Sequence, residues 1–178
     1  GDIVEWGVFK GVSLSRWVKF RSLLENAYSR KIVAFDTFGE FPDTEYALDK
    51  QKRQQFIDEA GNMSISKSQM IEMLRELNLY QNIDLVEGNI LHTIPEYLEK
   101  NPNLKISLVN IDVDLFEPTK LALEELFPRV VRGGIIILDD YGAFPGANKA
   151  IDDYLVEEHG LKINKLPFSN AISYIQKK

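Results

Sequence analysis

The sequence contains no cysteine and no long apolar run, and each absence excludes a class of protein. Without cysteine the chain forms no disulfide, no thiolate nucleophile and no zinc–thiolate site. No stretch approaches the roughly 20 apolar residues that span a bilayer. No secretory or transit segment is visible at the N-terminus. We therefore expect a cytoplasmic protein that makes no membrane contact.

Positive charge is also scarce. The chain has 21 Lys and Arg residues against 27 Asp and Glu residues, which gives a net charge of −6. Nucleic-acid binding needs a basic surface, so we expect a small-molecule partner instead. The 178 residues, 44% of them hydrophobic, suit one globular domain with its own core. No repeat or linker divides residues 1–178, and the composition is compatible with a homo-oligomer.

Apolar runs alternate with segments of helical period along the chain. The predicted strands are 3–6, 32–35, 83–86, 105–111, 135–138, 161–166 and 171–176. The predicted helices are 13–29, 64–80, 90–100, 118–128 and 146–159, and 38–62 is interpreted as a long loop with some helix. This alternation predicts an α/β fold, with a mostly parallel seven-stranded sheet and helices on both faces. Only residues 167–170 separate the last two strands, so the last strand should run antiparallel.

Carboxylates follow two of the predicted strands. Asp112 follows strand 105–111, and Asp139 and Asp140 follow strand 135–138. Ligands bind outside the carboxyl ends of strands in open α/β sheets, and neighbouring strand ends converge there. Three such carboxylates raise one another's pKa unless a cation lies between them, and all-oxygen ligands favour magnesium or calcium. We therefore expect a metal site at these residues; pairing with Lys, Arg or helix N-termini is the alternative.

Two more acidic residues, Asp114 and Glu117, lie close to this group in sequence. Pro118 is suited to the first turn of a helix, and acidic side chains stabilise helix N-termini. We interpret both residues as caps of that helix rather than as metal ligands.

The first three strand ends are candidate ligand-binding positions. Gly7 and Gly11 follow the first strand and let the backbone approach a ligand, although a plain turn is the alternative. Asp36 follows the second strand, where an acidic residue binds ribose hydroxyls, or else caps a turn. Gly88 and Asn89 follow the third strand and would let an adenine ring lie against the backbone, but Gly-Asn is also a common turn.

Several segments together resemble the macrocin O-methyltransferase family, the TylF-like enzymes, over about residues 4 to 155. The similar segments are Glu5-Trp6-Gly7-Val8-Phe9-Lys10-Gly11, Ala34-Phe35-Asp36-Thr37-Phe38, Val86-Glu87-Gly88, Thr93-Ile94-Pro95, 111–119 and 133–142. The chain departs from the family pattern at Phe116, where Tyr is usual, and at Pro118, where Ser is usual. The family also carries an N-terminal helical segment over its site. We expect that this segment is missing here, that 38–62 covers the site instead, or that the site is open.

The resemblance implies a Rossmann-like class I methyltransferase with S-adenosylmethionine as methyl donor and Mg²⁺ as cofactor. The acceptor would be a hydroxyl of a sugar or glycosylated natural product. The implied donor-binding residues are Glu5, Gly7, Gly11 and Ser13 at the methionine end, Asp36 with Thr37 at the ribose, and Gly88 and Asn89 near the adenine. The implied magnesium ligands are Asp112, Asp139 and Asp140.

Asp112 is the candidate general base, because it could touch both the metal and the acceptor hydroxyl. Two alternatives remain at this point. One is a metal-independent methyltransferase of the FkbM-like kind, which has a similar Ile-Asp-Val-x-x-Phe-Glu run. The adjacent pair Asp139 and Asp140 favours the metal enzyme over it. The other alternative is a non-catalytic ligand-binding or scaffold domain with the same fold.

Overall fold

A computed structural model of the chain describes residues 1–169 and 171–178, and it contains one seven-stranded sheet. The strands are β1 (Asp2–Trp6), β2 (Ile32–Asp36), β3 (Ile83–Glu87), β4 (Ile106–Ile111), β5 (Val130–Leu138), β6 (Asn164–Lys165) and β7 (Ser173–Gln176). Their order is β3-β2-β1-β4-β5-β7-β6, and β7 runs antiparallel to both of its neighbours. The predicted mostly parallel sheet with an antiparallel last strand is confirmed. The predicted final turn includes Asn170, which lies outside the described residues.

Helices cover both faces of the sheet, as predicted. They are α1 (Val12–Leu24), α2 (Ala47–Ala60), α3 (Lys67–Glu76), α4 (Ile90–Lys100), α5 (Phe116–Leu126) and α6 (Pro145–Ile151), with a 3₁₀ turn at Phe127–Arg129 and a π-helical segment at Asp152–Glu158. One apolar cluster joins β1, β2 and β3 to Leu14 of α1 and Leu74 of α3. The other joins the sheet to Ile94 of α4, Leu123 of α5 and Ile151 of α6. In the described part of the chain, no helix is both long and apolar enough to cross a bilayer.

Several predicted boundaries differ from the structure. Helix α1 ends at Leu24 rather than at residue 29, because Leu24 and Tyr28 are each 77% exposed and have no core contact to hold another turn. The segment 38–62 contains a full helix, α2, where a loop with some helix was predicted. Every residue of α2 is described, and Asp49 is the only buried one. The helix therefore has no periodic pattern of apolar residues from which it could be predicted.

The end of β1 packs directly against the end of β4. Gly7 has a φ of 84°, and its amide donates to the carbonyl of Phe35. A Cβ atom at Gly7 would lie 1.6 Å from the carbonyl oxygen of Asp112. Only glycine allows both this backbone angle and so close a contact with the Asp112 carbonyl. Gly7 therefore fixes the distance between the loop after β1 and Asp112.

Replacing Gly7 by alanine should destabilise the protein by about 3 kcal/mol or more, because the added methyl group forces two strand ends apart. Gly133 offers a matched control, since its φ is 80° and nothing lies within 4 Å of a Cβ there. Gly133→Ala should cost only the backbone strain, about 1 kcal/mol. Urea denaturation of both variants measures the difference, and equal losses would contradict the steric explanation.

Candidate active site

A cavity of about 300 Å³ lies at the carboxyl ends of the central strands. Its wall includes five of the predicted site residues: Gly7, Asp36, Thr37, Asn89 and Asp112. It also includes Asp114 and Glu117, which we interpreted as helix caps. The other predicted site residues do not line it; they are Glu5, Gly11, Ser13, Gly88, Asp139 and Asp140. The structure therefore brings the ends of β1, β2 and β4 and the start of α4 to one cavity.

The segment 38–62 forms much of the cavity wall. Phe41, Pro42 and Phe56 all contribute to it. The ring of Phe56 lies 5.4 Å from the ring of Phe9 and 5.3 Å from that of Phe41. The sequence analysis gives three expectations for what lies over the site, and this geometry matches the one in which residues 38–62 cover it. We call residues 38–62 the cover.

Glu117 fastens the cover instead of capping its own helix. Its carboxylate accepts hydrogen bonds from Thr44 Oγ1 at 2.9 Å, from the Glu45 amide at 3.0 Å and from the Tyr46 amide at 2.9 Å. The ring of Tyr46 stacks on Phe116, with centroids 4.8 Å apart. The interpretation of Glu117 as a cap of α5 therefore misses its main contacts, which hold residues 44–46.

Asp49 of α2 is a second fastening point. It is fully buried, and it accepts hydrogen bonds from the Phe116 amide at 2.9 Å and the Gly146 amide at 2.7 Å. These amides belong to the first turns of α5 and α6, whose own N-cap residues provide no side-chain hydrogen bond. One carboxylate from the cover thus caps two helices. Sequence reasoning missed Asp49 because its partners lie 67 and 97 residues away.

Three carboxylates at the cavity edge could share one cation. Asp112, Asp114 and Asp140 each offer an oxygen atom, and these atoms all lie within 4.8 Å of one another. Oδ2 of Asp140 accepts hydrogen bonds from the amides of Val113 at 3.1 Å and Asp114 at 2.8 Å. Asp139 is exposed and is not part of this group, so its role as a ligand stays a prediction. Asp114, interpreted as a cap, joins the group because its φ of 62° turns the chain back.

Burial raises the pKa of every carboxyl in this group. The pKa of Asp112 rises to about 8, first through burial and then through the charges of Asp140, Asp139 and Asp36. Burial and the charge of Asp112 raise the pKa of Asp114 to about 7. The pKa of Asp140 lies well above its ordinary value for the same reasons, with Asp114 as its charged neighbour. A divalent cation would favour the ionised form of all three.

Glu5, near the end of β1, is a fully buried carboxyl. Ser13 donates a hydrogen bond to Oε1, whereas the fully buried Oε2 has no partner. Burial raises the pKa of Glu5 to about 8, although the Ser13 hydrogen bond lowers it; the charges of Asp112 and Asp36 raise it further. This raised pKa keeps Glu5 largely protonated at neutral pH, and the protein leaves its second oxygen without a hydrogen-bond partner.

Asp36 ties three loops together. Its Oδ2 accepts hydrogen bonds from the amides of Val8 at 2.7 Å and Phe9 at 3.1 Å. Its Oδ1 accepts from the Phe38 amide at 2.6 Å and from Ser64 Oγ at 2.8 Å. The predicted contact with a ribose therefore requires a hydroxyl to replace one of these donors.

The remaining candidates lie at helix starts. Gly11 precedes α1 with a φ of 79°, and Gly88 has a φ of 130° at the end of β3. Asn89 is the N-cap of α4, and its Oδ1 accepts a hydrogen bond from the Leu91 amide at 3.0 Å. Asn89 both caps α4 and lines the cavity, so the turn and ligand interpretations are compatible at this residue.

Replacing Asp49 by Asn should reduce the free energy of unfolding by about 1–2 kcal/mol, because Asn presents one acceptor oxygen where Asp presents two. Hydrogen exchange at the Phe116 and Gly146 amides should become faster. Asp58→Asn, on the exposed end of α2, is the matched control and should change neither quantity. Unchanged exchange at both amides in Asp49→Asn would refute the role of Asp49 as a double cap.

The stability of the metal-free protein should fall as pH rises from 4.5 to about 8. The ordinary pKa of a Glu side chain, which applies to the unfolded chain, is 4.5, and the pKa of Glu5 in the folded protein is about 8. The pKa of Asp112 is raised as well. In this window the folded state keeps protons that the unfolded state has released. Each group therefore lowers the free energy of unfolding by up to about 1.4 kcal/mol per pH unit. Urea denaturation in EDTA measures the slope, which Glu5→Gln should make shallower. A stability that rises with pH would contradict this assignment.

The comparisons with known proteins agree with this architecture. The family model for the macrocin-O-methyltransferases (TylF) matches residues 1–168. One curated relative, the 8-demethyl-8-(2,3-dimethoxy-alpha-L-rhamnosyl)-tetracenomycin-C 4'-O-methyltransferase of Streptomyces olivaceus, is 28% identical over 158 residues, which are 86% of this chain and 58% of that protein. Another, the demethyldecarbamoylnovobiocin O-methyltransferase of Streptomyces niveus, is 27% identical over 158 residues, which are again 86% of this chain and 58% of that protein. The chain thus spans just under three fifths of the length of these relatives.

Solved structures give the same result. The calicheamicin methyltransferase CalS11 is 30% identical and superposes with a TM-score of 0.78, covering 99% of this chain and 72% of that one. The O-methyltransferase NovP is 23% identical, has a TM-score of 0.85, and covers 100% of this chain and 72% of its own. The sheet described above is therefore a class I methyltransferase sheet. With the family model matching nearly the whole chain, this protein belongs to the macrocin-O-methyltransferase (TylF) family.

Proposed function

We propose that this protein is an S-adenosylmethionine-dependent O-methyltransferase that methylates a hydroxyl on the sugar of a glycosylated small molecule, with the assistance of Mg²⁺. The observation that carries the proposal is the acidic group at the strand ends, next to a cavity in a fold of this family. Curated relatives support the acceptor class. They are named as O-methyltransferases of a rhamnosyl-tetracenomycin, of demethyldecarbamoylnovobiocin and of mycinamicin III.

The residues present fit the methyl donor. S-adenosylmethionine supplies a methyl group on a positively charged sulfonium, and it also carries an ammonium group. The buried Oε2 of Glu5 has no partner, and Asp36 and Asp112 line the cavity nearby. Such an environment favours a cationic ligand. We assign Glu5, Gly7, Gly11 and Ser13 to the methionine end, Asp36 and Thr37 to the ribose, and Gly88 and Asn89 to the adenine.

The residues also fit a magnesium ion. Asp112, Asp114 and Asp140 offer three hard oxygen ligands within 4.8 Å of one another. Asp139, the neighbour of Asp140, is the alternative third ligand that the sequence suggested. A magnesium ion held there would lower the pKa of a bound hydroxyl as a Lewis acid.

The chain's own residues would orient the acceptor and accept its proton. Asp112 lines the cavity, and a Mg²⁺ ion bound beside it would keep its carboxylate in the ionised form that a general base requires. We propose that its carboxylate takes the proton of the acceptor hydroxyl as the hydroxyl oxygen bonds to the methyl carbon and the carbon–sulfur bond of the donor breaks. The aromatic wall from the 38–62 segment would exclude water from the reacting groups.

Calorimetry with S-adenosylmethionine, with and without Mg²⁺, tests the proposal. We expect the donor to bind in both conditions and methyl transfer to a sugar hydroxyl to stop in EDTA. Binding with full activity in EDTA would favour a metal-independent methyltransferase. Absence of donor binding would favour a non-catalytic domain.

The pair Asp114→Asn and Asp139→Asn tells which carboxylate completes the metal site. Asp114 lies within the group of three oxygens and Asp139 does not, so Asp114→Asn should weaken Mg²⁺ binding by about 10-fold or more. Asp139→Asn should leave Mg²⁺ affinity within about 3-fold of the unmodified protein, because an exposed carboxylate outside the site interacts weakly. Titration of Mg²⁺ into each variant measures this. The reverse order would assign the site to Asp139.

A further inference from the structure

The carboxylate of Asp36 has its acceptor sites filled by the protein itself. A carboxylate offers about four lone-pair sites, two on each oxygen. Oδ2 accepts hydrogen bonds from two main-chain amides of the loop after β1, and Oδ1 accepts from the Phe38 amide at 2.6 Å and from Ser64 Oγ at 2.8 Å. A fifth donor, Thr37 Oγ1, lies 3.4 Å from Oδ1, at the limit of hydrogen bonding. A ribose hydroxyl must therefore displace one of the four close donors.

Three of these donors are main-chain amides, which cannot turn away from Asp36 unless the chain itself moves. The loop that contains Val8 and Phe9 is also held from its other side, because the Phe9 carbonyl accepts a hydrogen bond from the Ile65 amide at 2.6 Å. Phe38 lies only two residues after Asp36, and its φ of 49° fixes its amide in a tight turn. A buried amide that loses its partner is unfavourable, so none of the three is suited to leave.

The Ser64 hydroxyl differs from the amides in two ways. Its proton rotates about a single bond, so it can leave Asp36 without any movement of the chain. It also has a second acceptor, since Oγ lies 3.1 Å from the carbonyl oxygen of Gly39. A hydroxyl has one proton and cannot donate fully to both acceptors at once. Ser64 can therefore release Asp36 and remain hydrogen-bonded.

Gly39 and Ser64 lie at the neck of the cover, where its two ends meet. The Ser64 amide donates to the Gly39 carbonyl at 2.8 Å, and the Phe41 amide donates to the Asn62 carbonyl at 2.8 Å. An isolated antiparallel bridge lies between these two hydrogen bonds. Gly39, Asn62 and Ser64 also line the cavity. Ser64 thus contacts the proposed ribose ligand and the neck of the cover with one side chain.

Building on the proposed donor site, we infer that Ser64 is a positioning residue that exchanges partners when S-adenosylmethionine binds. In the free protein its hydroxyl fills the place of a ribose hydroxyl on Asp36. When the ribose binds, a ribose hydroxyl takes that place on Oδ1, and the Ser64 proton turns wholly to the Gly39 carbonyl. The exchange leaves neither Asp36 nor Ser64 without a partner, and it strengthens one hydrogen bond at the neck. Donor binding therefore tightens the cover over the site.

Deoxy analogues of S-adenosylhomocysteine, which is the donor without its methyl group, test the exchange. Calorimetry compares S-adenosylhomocysteine with its 2′-deoxy and 3′-deoxy forms in the unmodified protein and in Ser64→Ala. In the unmodified protein, loss of the exchanging hydroxyl should weaken binding only slightly, because Ser64 stays on Asp36. In Ser64→Ala the same loss leaves one acceptor site of Asp36 unfilled. The weakening should then be about 10-fold larger for one of the two analogues.

Two further variants serve as controls. Ser22→Ala removes an exposed hydroxyl from α1 and should leave both affinity ratios unchanged. Ser64→Thr keeps the hydroxyl and should have the ratios of the unmodified protein. If both ratios in Ser64→Ala equal those of the unmodified protein, the exchange is overturned and the proposed donor site still stands. If S-adenosylhomocysteine does not bind to the unmodified protein, the donor site fails and the inference fails with it.

Hydrogen exchange gives a second readout that needs no substitution. Saturating S-adenosylhomocysteine should slow exchange of the Phe41 and Ser64 amides at the neck by about 3-fold or more beyond its effect on the Leu77 amide at the end of α3. The deoxy form that lacks the exchanging hydroxyl should not cause this extra slowing. Equal slowing by all three ligands would contradict a link between ribose binding and the neck of the cover.

Discussion

Hydrogen bonds from main-chain amides to buried or half-buried carboxylates hold the loops of this site in place. Asp36 joins the loops after β1 and β2, Asp140 orders the loop after β4, and Asp49 and Glu117 fasten the cover. Amide hydrogen bonds to a carboxylate are stronger than those between neutral groups, and each helix start offers several unused donors. The same interaction therefore builds the cavity wall and sets its charge.

This construction concentrates negative charge where it is unfavourable for folding. Glu5, Asp112, Asp114 and Asp140 all have raised pKa values because they are buried. A cationic ligand would relieve that unfavourable charge, so ligand binding and folding stability are linked at this site.

The sequence predicts the sheet well because its strands are continuous apolar runs whose pattern is local. It also makes Asp112 and Asp140 candidates, since Asp112 directly follows such a run and Asp140 follows another with only Asp139 between. It does not identify Asp49, whose partners belong to distant helices, or Asp114, which joins the acidic group only through a left-handed backbone turn. Helix α2 is missed for a related reason, because hydrogen bonds and a few aromatic contacts hold it rather than an apolar face.

Asp49 and Gly146 illustrate a constraint that reaches across the whole chain. A Cβ atom at Gly146 would lie 1.9 Å from Oδ2 of Asp49, so there is no room for a side chain at residue 146 while the carboxylate caps α6. A larger residue at 146 is compatible only with a shorter residue at 49, and that exchange removes both caps. The two positions, 97 residues apart, should therefore vary together during evolution. Sequence changes in the cover should accompany sequence changes at the start of α6.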